Sequence, residues 1–246
     1  MRQFSNVRRA VLLALFAAAF LATASPSTAD RGLCAGGQKR LGSGSAAYAA
    51  VLERPANAYR TPGAGVVARL EEKNLNTYPT VLGVRAVVLD RDCRARWYRV
   101  QLPLRPNGST GYVRANAVWL GRVTTRIVVD LSERRVSLFR RGRLIIRATA
   151  AIGASATPTP PGRYYVNQRL IPRNRRGPYG PAALGISAFS NVHTGWTQGG
   201  PIAIHGTDQP QTIGRRATNG CIRLHNQVVK RLFRATPAGT PVLVRR

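Results

Sequence analysis

Acid is what this chain has least of. Nine Asp and Glu stand against 38 Lys and Arg over 246 residues, a formal charge of +29. Such a field points to an anionic partner. Yet the arginines are scattered, and no helix-turn-helix, zinc-finger or RNA-recognition pattern accompanies them, so nucleic acid is not the expected one. The bland alternative is a compositional bias toward arginine with no dedicated partner. Cysteine and histidine are equally scarce, at three each. Neither Cys-x-x-Cys nor His-Glu-x-x-His occurs, and the compact spacing of Cys221 and His225 alone is weak support for zinc, so no metal and no cofactor are expected. The apolar run Ala10 to Leu21 covers 12 residues, short of the roughly 20 that span a bilayer.

That short run has another reading. Arg2, Arg8 and Arg9 precede it, and the small-residue sites Ala22-Thr23-Ala24 and Ser27-Thr28-Ala29 follow it, the layout of a signal peptide over residues 1–29. A retained N-terminal anchor is the alternative. The protein is therefore expected to be exported, to the periplasm, the cell wall or outside, with no transmembrane segment after signal removal. The mature chain would keep 35 basic and 9 acidic residues, a charge of +26. An anionic wall polymer then becomes a candidate partner.

Composition divides the remainder. Residues 30–46 are Gly, Ser, Ala and basic residues with few large apolar side chains, expected to form a flexible basic tail. From 47 to 121, short alternating runs are punctuated by Thr61-Pro62-Gly63 and Asn107-Gly108. Val84 to Leu89 reads as a buried strand, and Trp97 to Leu102 with Gly111-Tyr112-Val113 as a hairpin. Trp97 and Tyr112 are expected in the core of this small module rather than lining a groove, because aromatics in short strands usually pack. In an oxidising compartment Cys34 and Cys93 are an even pair that would form a disulfide; two unpaired thiols are the alternative.

A second segment starts at Arg126. Ile127 to Leu131 and Arg135 to Phe139 flank Ser132-Glu133-Arg134, and Arg141-Gly142 turns the chain into a strand from Leu144 to Ile152. Thr157-Pro158-Thr159-Pro160-Pro161-Gly162 is a rigid connection into the strand Arg163 to Val166. Asn167 to Gly200 reads as a long lid or binding loop carrying Tyr179, His193 and Trp196. Pro201 to Ile204 is a strand ending in His205, sixteen positions before Cys221. Asn226 is placed to cap a short helix to about Phe233, and Pro241 to Val244 closes the sheet.

A thiol behind a glycine, downstream of a strand that ends in histidine, suggests a nucleophile and its base. An imidazolium at His205 would favour the thiolate of Cys221. His193 and His225 are alternative bases. Gly220 permits a bend that lets successive amides converge on an acyl oxygen. Arg223 suits a substrate carboxylate, or is one more surface arginine.

The ordered motifs Ile-Val-Val-Asp-Leu, Val-x-Leu-Phe, Thr-Pro-Thr-Pro-x-Gly, Ile-His-Gly-Thr and Asn-Gly-Cys-Ile-Arg-Leu resemble the L,D-transpeptidase catalytic domain, the YkuD-type fold, over residues 124–246. The pieces around Arg54 to Pro62, Trp97 to Val100 and Gly111 to Val113 resemble a bacterial SH3-like wall-binding domain. The expected fold is thus mainly β: a C-terminal β-sandwich or barrel with one or two short helices, after a small SH3-like barrel.

The first resemblance implies an enzyme acting on peptidoglycan stem peptides. It cleaves after the diamino acid at position three and passes the acyl group to an amine. Cys221 takes the nucleophile's place and His205 the base's; the Gly206 carbonyl orients the imidazole, and Asn219 and Gly220 lie in the turn facing the acyl oxygen. Arg223, His193, Tyr179 and Trp196 are substrate-binding candidates. Many members carry Ser-His-Gly-Cys where this chain has Thr218-Asn219-Gly220-Cys221. An L,D-carboxypeptidase using the same thiol and a non-catalytic wall-binding protein are the competing readings. The oligomeric state is open.

Overall fold

The computed structural model describes residues 37–246. The signal-peptide segment and Cys34 lie outside the described residues. The described chain forms two eight-stranded sheets and a two-stranded one.

The first sheet contains β1 (Gln38–Arg40), β2 (Ala47–Leu52), β3 (Ala56–Thr61), β4 (Ala64–Leu70), β5 (Val81–Leu89), β6 (Ala95–Gln101), β7 (Thr110–Arg114) and β8 (Val118–Val123). Its order is β4-β3-β7-β6-β5-β2-β8, with β1 added to β5. The Thr61-Pro62-Gly63 turn joins β3 to β4 and uses the left-handed conformation of Gly63 (φ +85°). Along β6 the two-residue period points Tyr98 and Val100 inward, where they meet Leu82 and Val113.

That phase overturns one expectation. Trp97 and Tyr112 face outward and are only half-buried: Trp97 packs edge-on against Tyr59 at 5.5 Å and under Arg114, and the Tyr112 hydroxyl donates to Gln38 Oε1 at 2.7 Å. A second correction concerns the tail. Gln38–Arg40 is a strand, because pairing with Ala86–Val88 satisfies its backbone without needing large side chains.

The second sheet contains β9 (Thr125–Asp130), β10 (Arg135–Arg140), β11 (Arg143–Thr149), β13 (Gly162–Leu170), β14 (Ala183–Phe189), β15 (Pro201–His205), β17 (Ile222–Arg223) and β18 (Pro241–Arg245). Its order is β11-β10-β9-β18-β13-β14-β15-β17. The two-stranded sheet pairs β12 (Ile152–Gly153) with β16 (Arg216–Thr218) in parallel. The β10–β11 hairpin turns through Arg141 and Gly142, both at positive φ, the geometry that matches strand twist. One α-helix is found among the described residues, α1 (Asn226–Ala235), which buries Val229 and Leu232 in the core of this sheet. His225, not Asn226, occupies its N-cap position and makes no side-chain cap bond.

The expected lid from Asn167 to Gly200 is another correction. It contains the end of β13 and all of β14, an interior strand whose residues 183–188 are all buried. Irregular chain remains at 171–182 and 190–200, the latter with a 3-10 turn at Thr197–Gly199.

The two sheets pack on one another. Gly83 of β5 lies against the Tyr165 ring of β13, where an added Cβ would stand 2.7 Å from Cδ1. Gln101 Nε2 donates to the Arg163 carbonyl at 2.9 Å. Asn107 uses both ends of its amide on Phe189, donating to its carbonyl and accepting from its N–H at 2.8 Å each. Arg105 donates to the carbonyls of Ser190 (2.5 Å) and Gly199 (2.8 Å). The loop 190–200 is therefore braced by the first sheet. Cys93 is disulfide-bonded, and Cys221 is the free cysteine among the described residues.

Candidate functional site

Strands β15 and β17 run parallel in the register Ile204↔Ile222 and His205↔Arg223. Side chains alternate along both. Ile202, Ile204, Ile222 and Leu224 point into the core and are fully buried. Their neighbours Ala203, His205, Cys221 and Arg223 share the opposite face. One residue back along the same register, Cys221 lies beside Ala203, whose backbone N–H bonds to the sulfur. His205 is thus the diagonal neighbour of Cys221: one strand across and two residues along, at about 3.3 Å of rise per residue.

His205 is 3 % exposed, and its Nδ1 lies 2.6 Å from the Gly206 carbonyl oxygen. A carbonyl only accepts, so Nδ1 carries the proton and Nε2 keeps a free lone pair. Tyr179, from loop 171–182, meets the imidazole edge-on at 5.0 Å. That loop sits close because two glycines allow it. A Cβ on Gly206 would stand 2.3 Å from Asn226 Oδ1, and one on Gly180 would stand 2.6 Å from the Gly206 Cα. Asn226 Oδ1 accepts from the Thr207 N–H at 2.8 Å, so its amide holds the turn after His205 rather than capping the helix.

The turn before Cys221 rests on the proline-rich connection. Thr157 Oγ1 donates to the Thr218 carbonyl (2.9 Å) and Thr159 Oγ1 to the Gly220 carbonyl (2.8 Å). Gly220 takes φ +108°, open to glycine and resisted by other residues. Its N–H points to Thr218 Oγ1 at 3.2 Å, and that hydroxyl donates to the Cys221 carbonyl at 2.6 Å.

The electrostatics differ from the expected imidazolium and thiolate. Burial pushes His205 down to about 4; the Gly206 carbonyl raises it, Arg223 lowers it further and Asp208 raises it. Burial pushes the Cys221 thiol up, against the Ala203 N–H and Arg223, which pull it down. Both shifts favour the neutral forms, because burial leaves little water to hydrate a separated charge pair.

Arg223 donates to Gln209 Oε1 at 3.1 Å, while its Nε is buried without a partner. His193 and Trp196 stack on each other at 3.9 Å in loop 190–200, not on His205 or Cys221. His225 is exposed. Among the described residues no three His, Cys, Asp or Glu converge as metal ligands, and no helix is long and apolar enough to cross a membrane. Thr157, Thr159, Thr218, Gln209 and Asn226 hold the site together through contacts that local sequence pattern does not mark. Only the threonines left a signal, as the polar members of an otherwise proline-rich turn.

The comparisons with known proteins point to one family over the second half of the chain. Residues 124–244 match the family model described as the L,D-transpeptidase catalytic domain, YkuD. Curated relatives carry the same family name. The putative L,D-transpeptidase YkuD of Bacillus licheniformis is 36 % identical over 119 residues, covering 48 % of this chain and 64 % of the relative. Its counterpart in Bacillus subtilis is 34 % identical over 120 residues, covering 49 % and 65 %. The chain spans just under two thirds of the length of both relatives. Among solved structures, an Enterococcus faecium L,D-transpeptidase aligns at 28 % identity with a TM-score of 0.37, covering 49 % of each chain. The structural likeness is thus to part of each chain.

Proposed function

We propose that this protein is an exported cysteine L,D-transpeptidase acting on peptidoglycan stem peptides. The one-face placement of Cys221 and His205, inside the matched segment, carries the reading.

In this mechanism His205 begins neutral, its Nδ1–H held by the Gly206 carbonyl. As sulfur attacks the carbonyl carbon of the donor amide, Nε2 accepts the thiol proton. The pair becomes charged only while the bond forms. Arg223 favours the sulfur anion, and the Gly206 carbonyl and Asp208 favour the imidazolium. The tetrahedral oxyanion takes donors from the turn of Asn219, Gly220 and Cys221, with the Gly220 N–H turning from Thr218 Oγ1 to serve it; each such donor is worth about 3 to 4 kcal/mol. Collapse breaks the C–N bond, Nε2 returns its proton to the leaving amine, and a thioester on Cys221 remains. An acceptor amine then attacks the thioester under the same base.

Tyr179, beside the imidazole, is the substrate contact best supported by position. Arg223 is suited to a substrate carboxylate. His193 and Trp196 become acceptor contacts only if substrate bridges from loop 190–200 to the strand face. Residues 47–121 form the SH3-like wall-binding module in this reading, residues 124–246 the catalytic domain, and Cys34 the disulfide partner of Cys93.

Purified stem tetrapeptides test the proposal. Release of D-alanine with formation of cross-linked dimers is the expected result. Tripeptide without dimers moves the activity to an L,D-carboxypeptidase, and no D-alanine release overturns the enzyme reading.

A further inference from the structure

The two sheets enclose a cleft of about 930 Å³, remote in sequence from the Cys221 turn. Five arginines reach it: Arg40 of β1, Arg85 of β5, Arg99 of β6, Arg126 of β9 and Arg163 of β13. Among the described residues no carboxylate lines it. The ion pairs among the described residues, Arg135 with Glu133 and Arg245 with Asp130, lie elsewhere. Five like charges around one cleft repel each other and attract a counter-charge.

The cleft is built rather than incidental. Gln101, 1 % exposed, accepts from the Arg85 guanidinium with Oε1 and donates to the Arg163 carbonyl with Nε2, fixing the half-buried arginine across the sheet junction. Arg85 is held below its usual value by burial, then by Arg163 and Arg40. Tyr165, 2 % exposed, also lines the cleft, and no hydrogen-bond acceptor faces its buried hydroxyl. The groups acting on that oxygen, the Gly83 N–H and the Arg85 guanidinium, are both donors, so neither serves its proton as an acceptor.

We propose that this cleft binds a segment of a phosphodiester polymer. Guanidinium forks match phosphate oxygens in pairs, and five of them with one hydroxyl donor exceed what a single carboxylate accepts. The exposed Arg40, Arg126 and Arg163 give a chain further phosphate positions at the mouth. The site is independent of the catalytic reading, since Cys221 takes no part in it.

The test is calorimetric titration of the full chain with a poly(glycerol phosphate) oligomer of about ten units in about 150 mM salt, where exposed charges are screened. Saturable binding is expected, weakened roughly tenfold in Arg40→Gln/Arg163→Gln and severalfold in Tyr165→Phe. The charge-matched double variant Arg143→Gln/Arg147→Gln, on exposed β11, is expected to stay within about twofold, and Cys221→Ser to bind as wild type. Each of these results would overturn the proposal: no saturable binding, equal loss in both double variants, polyglutamate of equal charge binding as tightly, or free pyrophosphate binding as tightly as the polymer. Loss in Cys221→Ser alone would place the ligand at the other site, again contradicting it.

Discussion

Thr159 accepts a hydrogen bond from the Gly153 N–H at 2.9 Å and donates one to the Gly220 carbonyl at 2.8 Å, so a single buried hydroxyl ties the proline-rich connection to the turn that presents Cys221. Thr159→Val keeps the shape and removes both bonds, leaving a buried donor and acceptor unmet. The expected cost is about 2 to 4 kcal/mol in urea unfolding, with slower acylation of Cys221. Thr159→Ser should recover most of both. Unchanged stability in the valine variant would contradict the tie.

The pH dependence follows from the buried imidazole. His205 titrates near 4 when folded and near 6.5 when unfolded, so the folded state binds fewer protons between these values. Its contribution is fully present above about pH 6.5, declines as pH falls through that window and is flat below about 4. The loss across the window is about 3 kcal/mol, and His205→Gln should flatten it in chemical denaturation. Acylation should likewise persist at pH 5 and fall near pH 4. An acid limb centred near 6.5 would contradict the neutral resting base.

Arg223 lowers both titrating groups. Replacing it with Gln should therefore move the acid limb of acylation to higher pH and the alkylation of Cys221 by iodoacetamide to still higher pH. Arg223→Lys should restore both profiles. A shift in KM alone, with both profiles fixed, would restrict Arg223 to substrate binding.

Gly206→Ala places a methyl group 2.3 Å from Asn226 Oδ1 and 2.9 Å from Pro181 Cδ. The turn must move, and with it the carbonyl that holds Nδ1–H. Acylation is expected to fall roughly 100-fold, the usual consequence of about 1 Å of misplacement. The imidazole Nδ1–H resonance should exchange faster in the same variant. Retention of both rate and resonance would show that the carbonyl does not orient the ring.

Where the sequence has a clear period, the fold was legible. The β10–β11 hairpin announced itself through Arg141-Gly142, and β15 through a strand that stops at histidine. The face shared by Cys221 and His205 was legible for the same reason: Ile204 and Ile222 fix the register, and the register fixes the face. Residues 183–188 of β14 are buried on both faces and small enough to lack an alternating pattern, so they passed for loop. Trp97 and Tyr112 show the complementary failure, because a period of two gives alternation without saying which phase faces inward. Gln101, Arg105 and Asn107 act across the junction of the two sheets, and no local pattern encodes a contact 60 to 95 positions away.

Intact-mass spectrometry of the full chain after incubation with a carbapenem, followed by peptide mapping, measures whether sulfur at the strand edge holds an acyl group. The account predicts one adduct, mapped to Cys221, absent in Cys221→Ser and formed much more slowly in His205→Gln. No adduct on the wild type, or an equal adduct on Cys221→Ser, would contradict it.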